Sequence, residues 1–243
     1  SMLAADRVLF NSLWNQESFL GGIQELLDRS PDNILDVEGL LRERSRVAWP
    51  PVDVPDEGIS GEKRVLHNAP VIVWPHRWEH DKGAAELLEM GRMLRRDAVG
   101  AKWILLGEQF PDMPAELRVF LDEFSEDILH AGRIDRREAY LDMLSQADWV
   151  LSTASHEFFG IAVVEAMLMG CLPWLPNRLS YPELVPAQYQ GLSPLEPPND
   201  PHAARRAIRD HLGPCAAGRA VSRIEDELDG VFGEVSVDSR RMI

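Results

Sequence analysis

Arg77 and Lys82 are the first residues of the chain whose type and spacing suggest chemistry. They lie in the run WPHRWEHDKG, which starts at Trp74. Two cations in one loop before a helix can bind a diphosphate, because their charges add to the positive end of the helix dipole. The same side chains could instead pair with Glu79 and Asp81 as solvated surface charges. The residues alone leave both interpretations open.

Glu157, Gly160 and Glu165 form a second group, about 80 residues further along. Glu165 is the one charged residue between Phe158 and Leu172. A carboxylate in an apolar helix costs free energy unless it is paired or reaches a cleft. Gly160 would let the backbone approach a ligand closely. The group could therefore bind ligand hydroxyls and phosphate, or Glu165 could pair with a cation elsewhere in the fold.

Short apolar strands alternate with helices on either side of both groups. Strands are predicted at 71–74, 103–106, 128–130, 149–151 and 172–175, and helices at 84–95, 114–124, 136–146 and 159–169. This alternation predicts an α/β fold with a doubly wound, Rossmann-like parallel sheet and helices on both faces. Such sheets bind ligands beyond the carboxyl ends of their strands, which is where both groups lie.

The rest of the chain suggests three segments. Residues 1–60 contain a strand at 7–10, a helix from about 12 to 27, a second helix at 36–43 and a strand at 47–49. They are interpreted as the end of a preceding α/β domain with a linker rich in Pro, Gly and charge. Residues 70–200 would form the sheet domain, and residues 201–243 two C-terminal helices, at 202–211 and 217–228.

Composition restricts partners and location. The chain has 25 Lys and Arg against 40 Asp and Glu, a formal charge of −15, so its overall field does not attract nucleic acid. The two cysteines have no motif spacing, which favours a reducing, cytoplasmic setting. No apolar run is long enough to span a membrane, so no membrane association is expected. Nothing in the sequence indicates an oligomeric state.

Common nucleotide and metal motifs are absent or poorly placed. The sequence contains no GxGxxG, no GxxxxGK[ST] and no DxD. This argues against dehydrogenases and P-loop NTPases, and no metal or cofactor is expected. His76, Glu79 and His80 have the spacing of an inverted zinc-protease motif, HxxEH. That motif needs a helix, whereas these residues lie between Pro75 and Gly83, where a loop is expected.

The ordered motifs resemble those of retaining glycosyltransferases with the GT-B fold, of the family-4 type. Glu157 and Glu165 match that family's E-x7-E signature, and Arg77 and Lys82 match its R-x4-K pair. The resemblance covers about residues 70–186 and continues through further short motifs: Leu106-Gly107-Glu108, Ala131-Gly132, Ala147-Asp148 and Pro182-Glu183. It implies that this chain contains the C-terminal, donor-binding domain of such an enzyme.

A narrower resemblance is to the glycosyltransferase-like family that includes tRNA-queuosine mannosyltransferase. It rests on the stretches WPHRWEHDKG, STASHEFFGIAVVEAMLMGC, SYPELVP and FNSLWNQESFL. It implies a GDP-mannose donor, retention of configuration and a tRNA-queuosine acceptor. In that family an acceptor-side domain precedes the donor domain and would hold most of the tRNA, so this chain alone could bind donor without transferring it. Alternatives are another nucleotide-sugar donor with a lipid, glycan or small-molecule acceptor, and a non-catalytic nucleotide-binding module.

The resemblance also assigns roles to residues. Arg77 and Lys82 would neutralise the donor diphosphate as the glycosidic bond breaks. Glu157 would bind the transferred sugar and Glu165 the ribose hydroxyls. Backbone N–H groups at Phe158, Phe159 and Gly160 would contact sugar or phosphate. Four further residues are less specific candidates: His76 and Gly107 could lie near the donor, His156 could touch the sugar, and Trp78 could stack on the base or cover the domain edge.

Overall fold

The computed structural model describes residues 2–29, 36–55, 66–67 and 69–238. Two compact units divide the chain. The described residues of Ser1–Val52 and Gly213–Ile243 form the first, and those of Asp53–Leu212 form the second. The segment 201–243, expected as one group of helices, is therefore divided between the two units.

Seven strands and nine α-helices occur within the described residues. The strands are β1 (Val8–Phe10), β2 (Ser45–Val47), β3 (Val71–Pro75), β4 (Lys102–Leu106), β5 (Ile128–Gly132), β6 (Trp149–Leu151) and β7 (Leu172–Trp174). The helices are α1 (Leu13–Asp28), α2 (Val37–Arg44), α3 (Ala84–Arg96), α4 (Ala115–Glu123), α5 (Arg137–Gln146), α6 (Ile161–Leu168), α7 (Tyr181–Leu184), α8 (Pro201–His211) and α9 (Ala217–Asp238).

The first unit is built around the parallel pair β1 and β2. Ser12 caps α1, accepting a hydrogen bond from the backbone of Asn15. The second strand begins at Ser45, two residues before the predicted start at 47, because Val8 pairs with Ser45. A small core of Val8, Phe10, Leu20 and Leu41 lies between the strands and helices. Helix α9 also belongs to this unit.

The second unit contains a five-stranded sheet in the order β5-β4-β3-β6-β7, with every pair parallel. The chain first winds outward from β3 to β5 and then returns to place β6 on the other side of β3. This reversal confirms the predicted doubly wound sheet. It also brings the carboxyl ends of β3 and β6 side by side, at the position where such folds bind ligands.

Burial explains why these segments form the central strands. Ile72, Val73, Val150 and Leu151 are completely inaccessible to solvent, as expected of strands covered on both faces by helices. The predicted helices α3 to α6 are present, with ends shifted by one or two residues. No helix in the described part of the chain is both long and apolar enough to cross a membrane.

Candidate functional site

The loops that follow β3 and β6 are held tightly together. Gly83, the residue before α3, has a φ of 72°, and a Cβ atom added there would lie 2.1 Å from the Thr153 carbonyl oxygen. The Thr153 hydroxyl donates to the Lys82 carbonyl at 2.7 Å and accepts from the Trp74 indole at 2.9 Å. Only glycine permits this approach, so Gly83 fixes the geometry of the site.

Lys82 joins the two groups that the sequence singled out. Its ammonium group is largely buried and donates to the His156 carbonyl oxygen at 2.9 Å. It also lies 3.0 Å from Asp81 Oδ2 and 3.7 Å from Glu157 Oε2. The side chain of Glu157 accepts from the backbone N–H of Phe158 at 3.2 Å. The structure therefore places Lys82 beside Glu157, although 75 positions separate them in the sequence.

Arg77 is exposed and forms a different kind of contact. Its guanidinium lies 3.1 Å from Glu79 Oε2, and its side chain is largely open to solvent. The local pairs that were one interpretation of the loop are thus present, both Arg77 with Glu79 and Lys82 with Asp81. An exposed pair of this kind contributes little to stability, so Arg77 can exchange its partner at low cost.

Glu165 is 8% exposed and has two partners on α5. Arg137 Nη1 lies 2.6 Å from Oε1, and the Tyr140 hydroxyl donates to Oε2 at 2.8 Å. Burial and the neighbouring carboxylate raise the pKa of Tyr140 far above its usual range, so Tyr140 stays protonated as a donor. The pairing of Glu165 with a cation elsewhere in the fold, one of the two interpretations of this residue, is therefore present, and the cation is Arg137. The structure gives Glu165 no direct contact with Lys82 or Glu157.

His76 belongs to a buried series of side-chain hydrogen bonds. Its Nε2 is 2.9 Å from the Ser152 hydroxyl, which is 2.6 Å from the Tyr181 hydroxyl. Burial, followed by the positive charge of Lys82, lowers the pKa of His76 to about 3. The imidazole is therefore neutral at physiological pH, and it links the ends of β3 and β6 to α7.

Two glycines support the walls of the site. Gly107 follows β4 with a φ of 148°, and an added Cβ atom would lie 1.9 Å from the His76 carbonyl oxygen. Gly107 thus supports the β3 loop through backbone packing. Gly160 precedes α6 with a φ of 92°, and an added Cβ would lie 3.2 Å from the Tyr181 ring. The backbone at the start of α6 consequently stays close to Tyr181.

The aromatic residues near the site differ in exposure. Phe158 is 64% exposed beside Glu157, whereas Phe159 is buried and its carbonyl oxygen accepts from Ser180. Trp78 is only 2% exposed, so it packs inside the unit and presents no open face for stacking. His156 is exposed and contributes its carbonyl oxygen to Lys82.

Two family models together match most of the chain. Residues 57–213 match the model for glycosyl transferases group 1. Residues 1–52 match the model for the N-terminal part of tRNA-queuosine alpha-mannosyltransferase. The chain belongs to the group 1 glycosyltransferase family. The sheet unit thus corresponds to the first model, as the R-x4-K and E-x7-E motifs predicted.

Two curated relatives are mannosyltransferases by name, and the first agrees with the narrower resemblance. The chain is 36% identical over 200 residues to tRNA-queuosine alpha-mannosyltransferase of Drosophila melanogaster, covering 77% of this chain and 52% of the relative. It is 30% identical over 120 residues to GDP-mannose:cellobiosyl-diphosphopolyprenol alpha-mannosyltransferase of Xanthomonas campestris, covering 48% of this chain and 31% of the relative. The chain thus spans about half the length, or less, of these two relatives.

Two solved structures illustrate the likeness in fold. Anabaena HepE, solved with UDP and glucose, superposes with a TM-score of 0.62 at 16% identity, covering 93% of this chain and 63% of HepE. The pneumococcal O-GlcNAc transferase GtfA, solved with UDP and GlcNAc, gives 0.61 at 12% identity, covering 94% of this chain and 46% of GtfA. These likenesses confirm the GT-B fold.

The HxxEH spacing does not form a zinc-protease helix in this chain. His76 lies in the loop after β3, and His80 begins a short 3-10 turn, His80–Lys82. Elsewhere in the described residues, no group of three His, Cys, Asp or Glu side chains is arranged to hold a metal ion.

Four residues near the site were not identified from the sequence: Arg137, Tyr140, Ser152 and Tyr181. Each is an ordinary residue type at its position, and its contact depends on which strands and helices become neighbours. Glu165 gave an indirect signal for Arg137, because a buried carboxylate requires a partner. No comparable signal in the sequence indicated the hydrogen bonds that join His76 to Ser152 and Ser152 to Tyr181.

Proposed function

We propose that this chain supplies the donor-binding half of a retaining mannosyltransferase that uses GDP-mannose and modifies the queuosine of a tRNA. The observation that supports it most strongly is the combined likeness to tRNA-queuosine alpha-mannosyltransferase, at 36% identity over 200 residues and through the N-terminal model at 1–52. The name of the Xanthomonas relative contributes the donor, GDP-mannose.

The cationic side chains would stabilise the leaving group of this reaction. As the bond between the anomeric carbon and the diphosphate oxygen breaks, negative charge grows on the diphosphate. Lys82, held by the His156 carbonyl and two carboxylates, provides a fixed positive charge there. Arg77 would leave Glu79 to contact the same phosphates. Fixed cations at a developing charge lower the barrier without any metal ion.

The carboxylates would orient the donor. Glu157, next to Lys82, would accept hydrogen bonds from the hydroxyls of the transferred sugar. Backbone N–H groups at Phe158, Phe159 and Gly160 would contact the sugar or the phosphates. Glu165, in the helix α6 that follows this loop, would accept from the ribose hydroxyls. The acceptor hydroxyl would attack from the face that the diphosphate leaves and would pass its proton to the departing diphosphate oxygen. This preserves the anomeric configuration and needs no protein nucleophile.

A lipid-linked acceptor is the second candidate. The Xanthomonas relative is named for transfer to cellobiosyl-diphosphopolyprenol, and it shares 30% identity over 120 residues. The same donor site would serve either acceptor, because the donor-binding residues all lie in the second unit.

Calorimetric titration of this chain with GDP, GDP-mannose, UDP and ADP tests the donor assignment. We expect GDP and GDP-mannose to bind selectively and Glu165→Ala to weaken GDP by about 10-fold or more, the usual effect of losing a charged hydrogen-bond partner. Unchanged affinity for GDP in a folded Glu165→Ala variant would show that Glu165 does not bind the nucleotide. A preference for UDP or ADP would overturn the GDP-mannose donor while leaving the family unchanged.

A transfer assay then tests the acceptor. The chain, joined to the part of the Drosophila relative that it does not match, is incubated with GDP-mannose and tRNA that contains queuosine. Digestion to nucleosides and mass spectrometry should reveal queuosine carrying one hexose. Transfer to a polyprenyl-diphosphate glycan and not to tRNA would overturn the queuosine acceptor in favour of the second candidate.

A further inference from the structure

The Glu165 carboxylate is held from one side by two residues of the preceding helix. Arg137 contacts Oε1 at 2.6 Å and Tyr140 donates to Oε2 at 2.8 Å. The two partners also contact each other, since the Arg137 guanidinium lies 5.4 Å from the centre of the Tyr140 ring. Each carboxylate oxygen therefore has one fixed donor, and the plane of the carboxylate is set by α5.

Two hydrogen-bond donors do not fill all the acceptor positions of a carboxylate. An ionised carboxylate has about four lone-pair positions, so one position on each oxygen stays available after Arg137 and Tyr140 have bound. Two such positions side by side match a pair of neighbouring hydroxyls. The pairing of Glu165 with a cation is thus compatible with ligand binding. It keeps the carboxylate ionised in a buried place where an unpaired charge would be costly.

The two partners differ in what they can contribute. Tyr140 is mostly buried, and its hydroxyl stays protonated because burial and Glu165 raise its pKa. Arg137 is half-exposed, and its second nitrogen donates to the Asp53 carbonyl oxygen at 2.6 Å. Arg137 therefore fixes Glu165 to the backbone at the start of the second unit, while Tyr140 fixes it to the interior.

We infer that Arg137 and Tyr140 are positioning residues that hold Glu165 in the orientation needed to bind both ribose hydroxyls of the donor nucleotide. This inference rests on the proposed function of Glu165 in the donor site. Its consequence is selectivity for a ribose over a deoxyribose nucleotide, since only the ribose offers a second hydroxyl to the oriented carboxylate.

Titration with GDP and with 2′-deoxy-GDP separates this role from ordinary structural support. We expect the unmodified chain to bind GDP more tightly than 2′-deoxy-GDP. Tyr140→Phe keeps the ring but removes the hydroxyl that donates to Glu165. It should therefore weaken the binding of GDP by about 10-fold, with a much smaller effect on the binding of 2′-deoxy-GDP. The ratio of the two affinities should fall toward one. Tyr189→Phe, the same exchange in the 3-10 turn Ala187–Tyr189, should leave the ratio unchanged.

Arg137→Gln provides the second test at a half-exposed site, and it decides the question if Tyr140→Phe fails to fold. We expect the affinity ratio to fall here too, while Arg136→Gln, which removes the same charge one residue away, preserves it. Melting temperatures identify any variant that is merely destabilised.

The outcomes distinguish this inference from the donor site itself. An unchanged ratio in folded Tyr140→Phe and Arg137→Gln, with GDP binding that still depends on Arg77, would overturn the positioning role alone. Failure of the unmodified chain to bind GDP would overturn both the donor site and the positioning role.

Discussion

Arg77 and Lys82 carry the same charge but differ in how firmly the protein holds them. Lys82 is largely buried among one carbonyl oxygen and two carboxylates, whereas Arg77 is exposed with one local partner. Lys82 is therefore in place before a ligand arrives, and Arg77 is able to move toward one. In the proposed donor site, Lys82 would pre-organise the positive charge and Arg77 would add to it when the diphosphate binds.

Arg77→Ala should weaken the binding of GDP by about 10-fold and the binding of guanosine very little, because only the diphosphate would contact the guanidinium. Calorimetry with both ligands measures the difference. Stability should hardly change, since the pair with Glu79 is exposed. Arg96→Ala, an exposed arginine at the end of α3, is the matched control. Equal losses for GDP and guanosine would contradict the diphosphate assignment.

His76 gives the protein a pH-dependent stability. The pKa of its imidazole is about 3 in the folded chain, against about 6.5 when unfolded. Between these values only the unfolded state binds the proton, so stability falls as the pH is lowered through this window. From this residue we expect a loss of about 2 kcal/mol between pH 7 and pH 5.

Urea unfolding at pH 7 and pH 5 tests this contribution. His76→Gln should lose about 2 kcal/mol less than the unmodified chain over this interval, because the variant has no imidazole to protonate. His80→Gln, at an exposed histidine, should show the full loss. Identical pH dependence in His76→Gln and the unmodified chain would show that His76 titrates normally.

At the scale of elements, the site depends on how closely the ends of β3 and β6 approach. Gly83→Ala would place a methyl group 2.1 Å from the Thr153 carbonyl in a backbone conformation that alanine disfavours. We expect a loss of about 2 kcal/mol or more in unfolding free energy, together with weaker GDP binding. Gly100→Ala, where an added Cβ meets nothing, is the control in the same unit. Normal stability and GDP affinity in Gly83→Ala would mean that the two loops can separate without cost.

Local patterns predicted the elements but not their neighbours. The strands β3 to β7 were recognisable because buried parallel strands are short apolar runs between helices. The start of β2 was misplaced because pairing with β1, rather than apolar character, determines it. The partners of Glu165 could not be predicted, because the local sequence around Arg137 and Tyr140 does not indicate that α5 packs beside α6. The charged loops were recognised because their residue types are unusual after strands.

For the whole molecule, the net charge of −15 opposes contact with nucleic acid. We expect this chain alone to bind tRNA with a dissociation constant larger than about 10⁻⁴ M at physiological salt. This affinity is weaker than usual non-specific binding. Most tRNA contacts would then come from the region of the relatives that this chain does not match. Fluorescence anisotropy with labelled tRNA at several salt concentrations provides the measurement. Micromolar affinity that falls steeply with salt would instead reveal a basic tRNA-binding patch within this chain.

The adjacency of β3 and β6 also affects how the protein reaches its native state. Val73 pairs with Val150, so the two halves of the site meet only after a loop of more than 70 residues has closed. Contacts between such distant positions slow folding, because the entropy of loop closure is lost before the contacts form. In the proposed donor site, neither half would bind a nucleotide by itself in a partly folded chain. Protection by nucleotide against proteolysis would therefore report on completed folding of the sheet, because a ligand stabilises only the state that binds it.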